Sequence, residues 1–542
     1  MRAVLMRIGT VVIALTVLAP TSRAGTGAQS SAKPKLVVFI AVDQMRGDYP
    51  VRYASLLQHG LIRLTKQGAW YRNGAYPYLN TVTCAGHSTL GTGTFPYKHG
   101  MVLNAWFDRE TGKTIACTDD SSTTEVSYSA DFTGPGDSAK QMQMPTLAET
   151  LHRAKGRVVT MSFKARSAIG LAGHEADSVT WFDERGAWQT STAYSKVPVG
   201  WVSAFVKANP VERDADKVWE RTLPADRYQY SDDAPGEKGG GGWTAKFPHQ
   251  LGPAGDRAYY THWLESPFAD EYLEQMAEAA IDALDLGKKD RTDFLGVSFS
   301  TLDRVGHAYG PRSHEVQDTL VRLDATLGKL LDHLDEKVGA GNYVLALGAD
   351  HGVADVPEQI TGGGRQSGAQ IVAAVETALK GVYGQGPFVG ANAYTDLYLR
   401  KGVYDRLKKD PKTLKAVKDA LLALPGLAHV LTADEVSTPQ ARSSKDPVVR
   451  AAALSYFAGR SGDLILVPKE NWLLAQSTTT HGTLYPYDQR VPVILFGGCI
   501  QAGVRDDPAN PADLAATLAS IVGVRLPSPD GQVLKAAIKA VP

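Results

Sequence analysis

Cysteine is scarce in this chain: three in 542 residues, at positions 84, 117 and 499. So few thiols exclude a scaffold built on disulfides. One bridge is possible in an oxidising compartment, and Cys84 and Cys117 are the nearer pair in sequence, but spacing alone does not decide the pairing. Neither sign of charge is in excess, with 57 Lys and Arg against 57 Asp and Glu. That balance removes any general argument for a polyanionic partner. No basic run and no interleaving of basic with aromatic residues stands in its place, so specific nucleic-acid binding is not expected. Beyond the amino terminus no segment approaches the length of an apolar membrane span, and no solenoid-like repeat is found.

The amino terminus itself has a basic start (Arg2, Arg7), an apolar stretch from Ile8 to Ala19, and a small-residue end at Ser22-Arg23-Ala24. This pattern is that of a signal peptide over residues 1–24, cleaved near Ala24, with a short linker over 25–34. A periplasmic or secreted protein without a membrane anchor is expected, its oligomeric state open and a monomer favoured. About 518 residues then remain, enough for one large core with substantial insertions.

Apolar runs at Leu36–Val42, Val158–Met161, Phe294–Phe299 and Tyr343–Leu347 have the look of buried strands. Between the last two, His314–Lys337 carries Val316, Leu320, Leu323, Leu327, Leu330, Leu331 and Leu334 at helical spacing. Further helices are expected over Glu271–Leu284 and Ala512–Val522. Strand and helix alternate, which predicts an α/β fold: a doubly wound, mainly parallel central sheet flanked by helices.

Polar residues with one common chemistry stand just after or near these runs: Asp43, Thr83, Asp303, His307, Asp350, His351 and His481. Three carboxylates, three imidazoles and one hydroxyl suit two neighbouring Zn2+ ions and a metal-activated nucleophile. One shell would hold Asp303, His307 and His481; the other, Asp43, Asp350, His351 and the Thr83 oxygen. Two metals about 4 Å apart can clamp the attacking and leaving oxygens of an in-line phosphoryl displacement. Taken singly, each residue has a plainer reading: an Asp-x-x-x-His pair as a satisfied loop pair, Thr83 as a helix N-cap, His87 as a structural hydrogen-bonding group.

The segments AVDQMRGD (Ala41–Asp48), TVTCAGHSTLGTG (Thr81–Gly93), LNAWFD (Leu103–Asp108), STLDRVGHAYG (Ser300–Gly310), ADHG (Ala349–Gly352) and THGTLYPYDQRVPVILFG (Thr480–Gly497) occur in that order. Together they resemble the alkaline phosphatase superfamily, and within it the secreted bacterial phosphate-irrepressible phosphatases that use a threonine nucleophile. The resemblance implies the metal and nucleophile assignments above. It further implies that Asn104 binds a non-bridging phosphate oxygen and that Lys164 and Arg166, in MSFKARSAIG, occupy the phosphate pocket. The implied domain spans residues 35–542, with cap-like insertions over about 170–270 and 365–475. Its implied activity is hydrolysis of small phosphate monoesters through a phosphothreonine. A phosphodiesterase or nucleotide pyrophosphatase of the same superfamily is the near alternative, and a non-catalytic secreted metal-binding protein the distant one. Cys84 lacks the Cys/Ser-x-Pro-x-Arg context of formylglycine sulfatases, which weighs against a sulfatase.

Overall fold

Five parallel strands form the centre of the protein, and their carboxyl ends deliver the residues of interest to one edge. In spatial order they are Tyr343–Gly348, Leu36–Val42, Asp293–Phe299, Val158–Ser162 and Ser178–Asp183. The computed structural model describes residues 33–129 and 133–539. The proposed signal peptide and most of the linker lie outside the described residues.

Leu36–Val42 is buried along its whole length, as a strand with sheet on both sides and helices on both faces must be. Its alternate residues feed two cores: Leu36, Val38 and Ile40 face one apolar cluster, and Val37, Phe39 and Ala41 face the other. The helix His314–Lys337 covers the first face and Ala512–Val522 the second. Both helices have the expected bounds, and the third runs Pro267–Leu284.

Outside the centre the pairing changes sense. Val493–Gly497 joins Tyr343–Gly348 antiparallel, followed by Ala69–Tyr71 and Gly503–Arg505. On the opposite side Ala187–Ser191, Asp119–Ser127 and Pro135–Asp137 continue antiparallel to complete eleven strands. The sheet thus reaches into the segment read as the first insertion, through Ser178–Asp183 and Ala187–Ser191. Within the second, Val389–Ala393, Asp396–Leu399, Leu464–Pro468 and Leu427–Thr432 make a separate four-stranded antiparallel sheet. The helices Gly368–Tyr383 and Pro411–Leu422 pack with it in a core of its own around Ile371, Val375, Val417 and Leu421. Among the described residues no helix is long and apolar enough to cross a membrane.

Candidate active site

Four neighbouring parallel strands place a charged residue just past their carboxyl ends. Asp350 and His351 follow Tyr343–Gly348, Asp43 follows Leu36–Val42, Asp303 lies in the helix Thr301–Tyr309 after Asp293–Phe299, and Lys164 follows Val158–Ser162. Open α/β sheets bind ligands at this edge because the strand ends leave a crevice there. His307 sits one turn beyond Asp303 on the same helix, so the two side chains meet, Nε2 to Oδ1 3.2 Å apart. His481 arrives from a loop between the second insertion and Val493–Gly497, its Nε2 3.8 Å from Asp303 Oδ1.

The three imidazoles share one device. Nδ1 of His307 lies 3.1 Å from the Thr479 carbonyl, Nδ1 of His351 2.9 Å from that of Gly352, and Nδ1 of His481 2.8 Å from that of Thr81. A carbonyl only accepts, so each Nδ1 carries a proton and each Nε2 is the atom turned into the site; burial lowers the His307 pKa but the Asp303 carboxylate more than offsets it, so His307 would give up its Nε2 proton on taking a metal. There His351 Nε2 faces Asp350 Oδ2 at 3.2 Å and Asp43 Oδ1 at 3.5 Å. Both of those oxygens are buried and receive no hydrogen bond. Buried lone pairs facing one another at this range repel unless a cation lies among them.

Charge tells the same story. Burial, followed by repulsion from Asp303 and Asp350, pushes the Asp43 carboxyl well above its ordinary range. Asp303 is held well below it: burial acts the other way, and the Lys164 ammonium and His307 override it. Burial, then the neighbouring His351 and His307, keeps His481 well below an ordinary histidine and therefore neutral, as a metal ligand must be. Two sets of ligand atoms come close enough to share an ion: Asp43, Asp350 and His351, and Asp303, His351 and His481. His351 belongs to both, because its ring stacks on that of His481 with centroids 3.4 Å apart. The donor set fits divalent metal, and the nitrogen-rich composition suits zinc better than magnesium.

Thr83 opens the helix Thr83–Thr92. The N-cap is Val82, with no side-chain cap, so the N-cap reading of Thr83 does not hold. Its hydroxyl is left to face the site, 3.4 Å from His351 Nε2, at a helix end where backbone N–H groups favour negative charge. The helix packs tightly: a Cβ on Gly86 would lie 2.2 Å from the Asp350 carbonyl oxygen. His87 is a structural group, its Nδ1 donating to the Thr83 carbonyl at 3.0 Å and its Nε2 2.8 Å from Ser298 Oγ. Its Nδ1 also sits 3.1 Å from Asp350 Oδ2, so the ring bridges the Thr83 carbonyl and that carboxylate.

Asn104 is held by its own acceptor. The Cys84 backbone N–H donates to Asn104 Oδ1 at 2.9 Å, which turns the amide nitrogen outward as a donor. Cys84 is disulfide-bonded to Cys117, and the Cys117 N–H donates to the Asn104 carbonyl at 3.0 Å. The bridge therefore ties the helix Thr83–Thr92 to the hairpin Ala105–Asp108/Lys113–Ala116 that follows Asn104. Lys164 is buried, its ammonium 2.6 Å from Asp43 Oδ2 and 2.5 Å from Asp303 Oδ2. It spans carboxylates of both ligand sets. Arg166 is half-buried on the helix Ala165–Ala172 with its Nε unpaired. Asp137, whose carboxyl burial raises to about 6 and the Arg166 charge opposes, is a neighbour that sequence reasoning missed. Gln44 is a second such residue; its N–H donates to Asp350 Oδ1 at 3.1 Å and its Nε2 to Asp303 Oδ1 at 2.6 Å.

A doubly wound sheet with paired Asp/His ligand sets and a threonine at a helix start defines a class. The sequence profile described as type I phosphodiesterase / nucleotide pyrophosphatase matches residues 37–489, and the chain belongs to that family, within the alkaline phosphatase superfamily. It is 33% identical over 510 residues to alkaline phosphatase PafA of Elizabethkingia meningoseptica, spanning 92% of this chain and 93% of that one. Alkaline phosphatase PhoV of Synechococcus elongatus is 30% identical over 515 residues, 92% of each chain. The crystal structure of wild-type PafA matches the fold with a TM-score of 0.85 at 31% identity, over 94% of this chain and 99% of that one.

Proposed function

We propose that this protein is an alkaline phosphatase, a phosphomonoesterase that transfers the phosphoryl group first to Thr83 and then to water. The observation that carries this reading is the juxtaposition of the Thr83 hydroxyl with the Asp43/Asp350/His351 ligand set, in which the buried Asp43 Oδ1 and Asp350 Oδ2 receive no hydrogen bond. The near-full-length similarity to PafA and PhoV supports the monoester assignment.

Asp43, Asp350 and His351 would hold one divalent cation and Asp303, His307 and His481 a second, with zinc favoured by the donors. Bound there, such ions supply Lewis acidity, which lowers the pKa of a hydroxyl or water and stabilises a departing oxygen. Thr83 Oγ attacks phosphorus in line and forms the new P–O bond as the ester P–O bond opposite it breaks; the hydroxyl proton passes to solvent water and the departing oxygen takes one from it, so the leaving group is released as the alcohol. Water then attacks the phosphothreonine, phosphate departs and the Thr83 hydroxyl is restored. Asn104 Nδ2 and Arg166 each bind a non-bridging oxygen; the planar guanidinium is suited to gripping two at once. Lys164 adds positive charge beside the phosphate while orienting Asp43 and Asp303. Positioning and charge account for most of the catalysis in such transfers.

The family profile's own description keeps a diesterase reading in play. A monoester dianion has one more negative charge than a diester, and Lys164 with Arg166 favours the dianion. The deciding measurement is kcat/KM on an aryl monophosphate and on a bis-aryl phosphate in wild type and Arg166→Ala. The monoester reading expects wild type to prefer the monophosphate, and the variant to lose about tenfold to a hundredfold on it, the worth of a charged hydrogen bond, with a smaller loss on the diester. A wild-type preference for the diester moves the protein to the second reading. The amino-terminal sequence adds the expectation that the enzyme acts outside the cytoplasm.

A further inference from the structure

One residue hydrogen-bonds two of the site's three carboxylates, directly follows the third in sequence, and is neither a ligand nor a phosphate contact. Gln44 follows Asp43 directly and sits in the left-handed region, at φ +66°, a conformation that carries a steric cost for a residue with a Cβ. In return, its backbone N–H reaches Asp350 Oδ1 (3.1 Å) while its side-chain Nε2 reaches Asp303 Oδ1 (2.6 Å) and the Asp303 carbonyl (3.4 Å). The side chain is buried and lies against Gly306, where a Cβ would come within 1.8 Å of the amide oxygen. Gly306 is on the helix that carries both Asp303 and His307, so the amide fits only because that turn has no side chain.

We infer that Gln44 is a positioning residue that presents Asp303 Oδ1 to the metal set of Asp303, His307 and His481, resting on the two-metal reading above. The chemistry lies in its neutrality. Lys164 also binds Asp303, through Oδ2, but with a full charge that competes with a cation. An amide donor fixes one lone pair of Oδ1 and leaves the carboxylate's charge for the ion. The other lone pair is free toward His307 and His481, at 3.2 and 3.8 Å. Partners of this kind behind a ligand are worth roughly 10- to 100-fold in metal affinity.

The test separates the side chain from the backbone. Gln44→Gly keeps the N–H to Asp350 and suits a positive φ, but removes the Nε2 donor; Gln44→Met keeps the side chain's bulk without a donor. Stepwise zinc binding is measured by competition with a chromophoric chelator on full-length wild type and both variants, alongside unfolding of the metal-free proteins. Expected are two zinc equivalents in wild type, one of them weakened 10- to 100-fold in both variants and the other within about threefold. Metal-free Gln44→Gly and Gln44→Met should each show one cooperative unfolding transition well above the assay temperature, so that a weakened equivalent in either cannot be ascribed to misfolding. Wild-type affinity for both equivalents in either folded variant overturns the role of Gln44. Wild type failing to take up two equivalents, or failing to hydrolyse a monophosphate, overturns the underlying function instead.

Discussion

Lys164 offers the sharpest physical test of the site, because its ammonium is the cation that the described residues place between Asp43 and Asp303. Replacing it with methionine keeps the volume and strands two buried carboxylates. Breaking a buried ion pair from one side costs about 3–5 kcal/mol, most of it the penalty of the charge left behind. The cost has a pH signature. Asp303 is held well below its ordinary value with Lys164 as the leading attraction, so in wild type its contribution is present above the unfolded carboxylate pKa and is lost as pH falls through the folded one. In Lys164→Met that contribution shrinks, and protonation of the carboxylates at low pH relieves the remainder. The destabilisation should therefore be full near pH 8 and smaller, though not abolished, near pH 4 to 5, where the stranded carboxylates begin to take up protons; it disappears only as pH falls below the unfolded carboxylate value. Saturating zinc should also reduce it, since a bound cation takes over the neutralisation and binding to the native state adds stability. Equilibrium urea unfolding with chelator and with zinc, at both pH values, provides the four numbers. A destabilisation that is independent of pH and of metal would refute the electrostatic account and leave only lost packing.

Three further outcomes follow from other parts of the molecule. Glu315, buried and hydrogen-bonded to His249 at 2.9 Å, has its carboxyl raised by burial to about 8; its stabilising protonated form is complete below the unfolded carboxylate value and is lost as pH rises toward 8. Glu315→Gln should accordingly gain on the order of a few kcal/mol over wild type at pH 9 and little at pH 5, seen as a melting-temperature difference that grows with pH. Replacing Cys84 and Cys117 together by serine opens a crosslink over 33 residues, which should cost about 3–4 kcal/mol and, by loosening Asn104, lower kcat/KM for a monophosphate. Unchanged kcat/KM would dissociate the bridge from Asn104. Gly86→Ala, with its new methyl 2.2 Å from the Asp350 carbonyl oxygen, should lose about 3 kcal/mol and most activity; wild-type unfolding and turnover would contradict that packing.

The central strands and the candidate ligands that stand at their ends were legible because both follow from one physical fact. Strands covered on both faces must be continuously apolar, so an Asp at the end of such a run stands out, as Asp43 and Asp350 do. The flanking strands left no such trace. Asp119–Ser127 reads DDSSTTEVS and is half-exposed, Ala69–Tyr71 and Gly503–Arg505 have three residues each, and the aromatics of Ser178–Asp183 look equally at home in a surface insertion. Pairing of His481 with His351 was hidden for a different reason: 130 positions and a second small sheet intervene, and stacking at 3.4 Å is a product of the fold. Gln44 gave no signal because its role depends on a positive φ and on a glycine 262 residues later, neither of which a pattern of residue types expresses. Lys164 was read as a phosphate ligand alone, and its partners Asp43 and Asp303 emerge only when three strand ends are side by side.

The most direct test of the account is a covalent one. Enzyme mixed with a 32P-labelled aryl monophosphate, quenched in acid within the first turnovers and digested, should yield one labelled peptide containing Thr83, with the label stable to acid as a phosphothreonine ester is. Thr83→Ser should shift the label to serine with some turnover retained, and Thr83→Ala should abolish both label and hydrolysis while zinc still binds. Full hydrolysis by Thr83→Ala, or label on another residue, would contradict the central claim that this hydroxyl is the nucleophile.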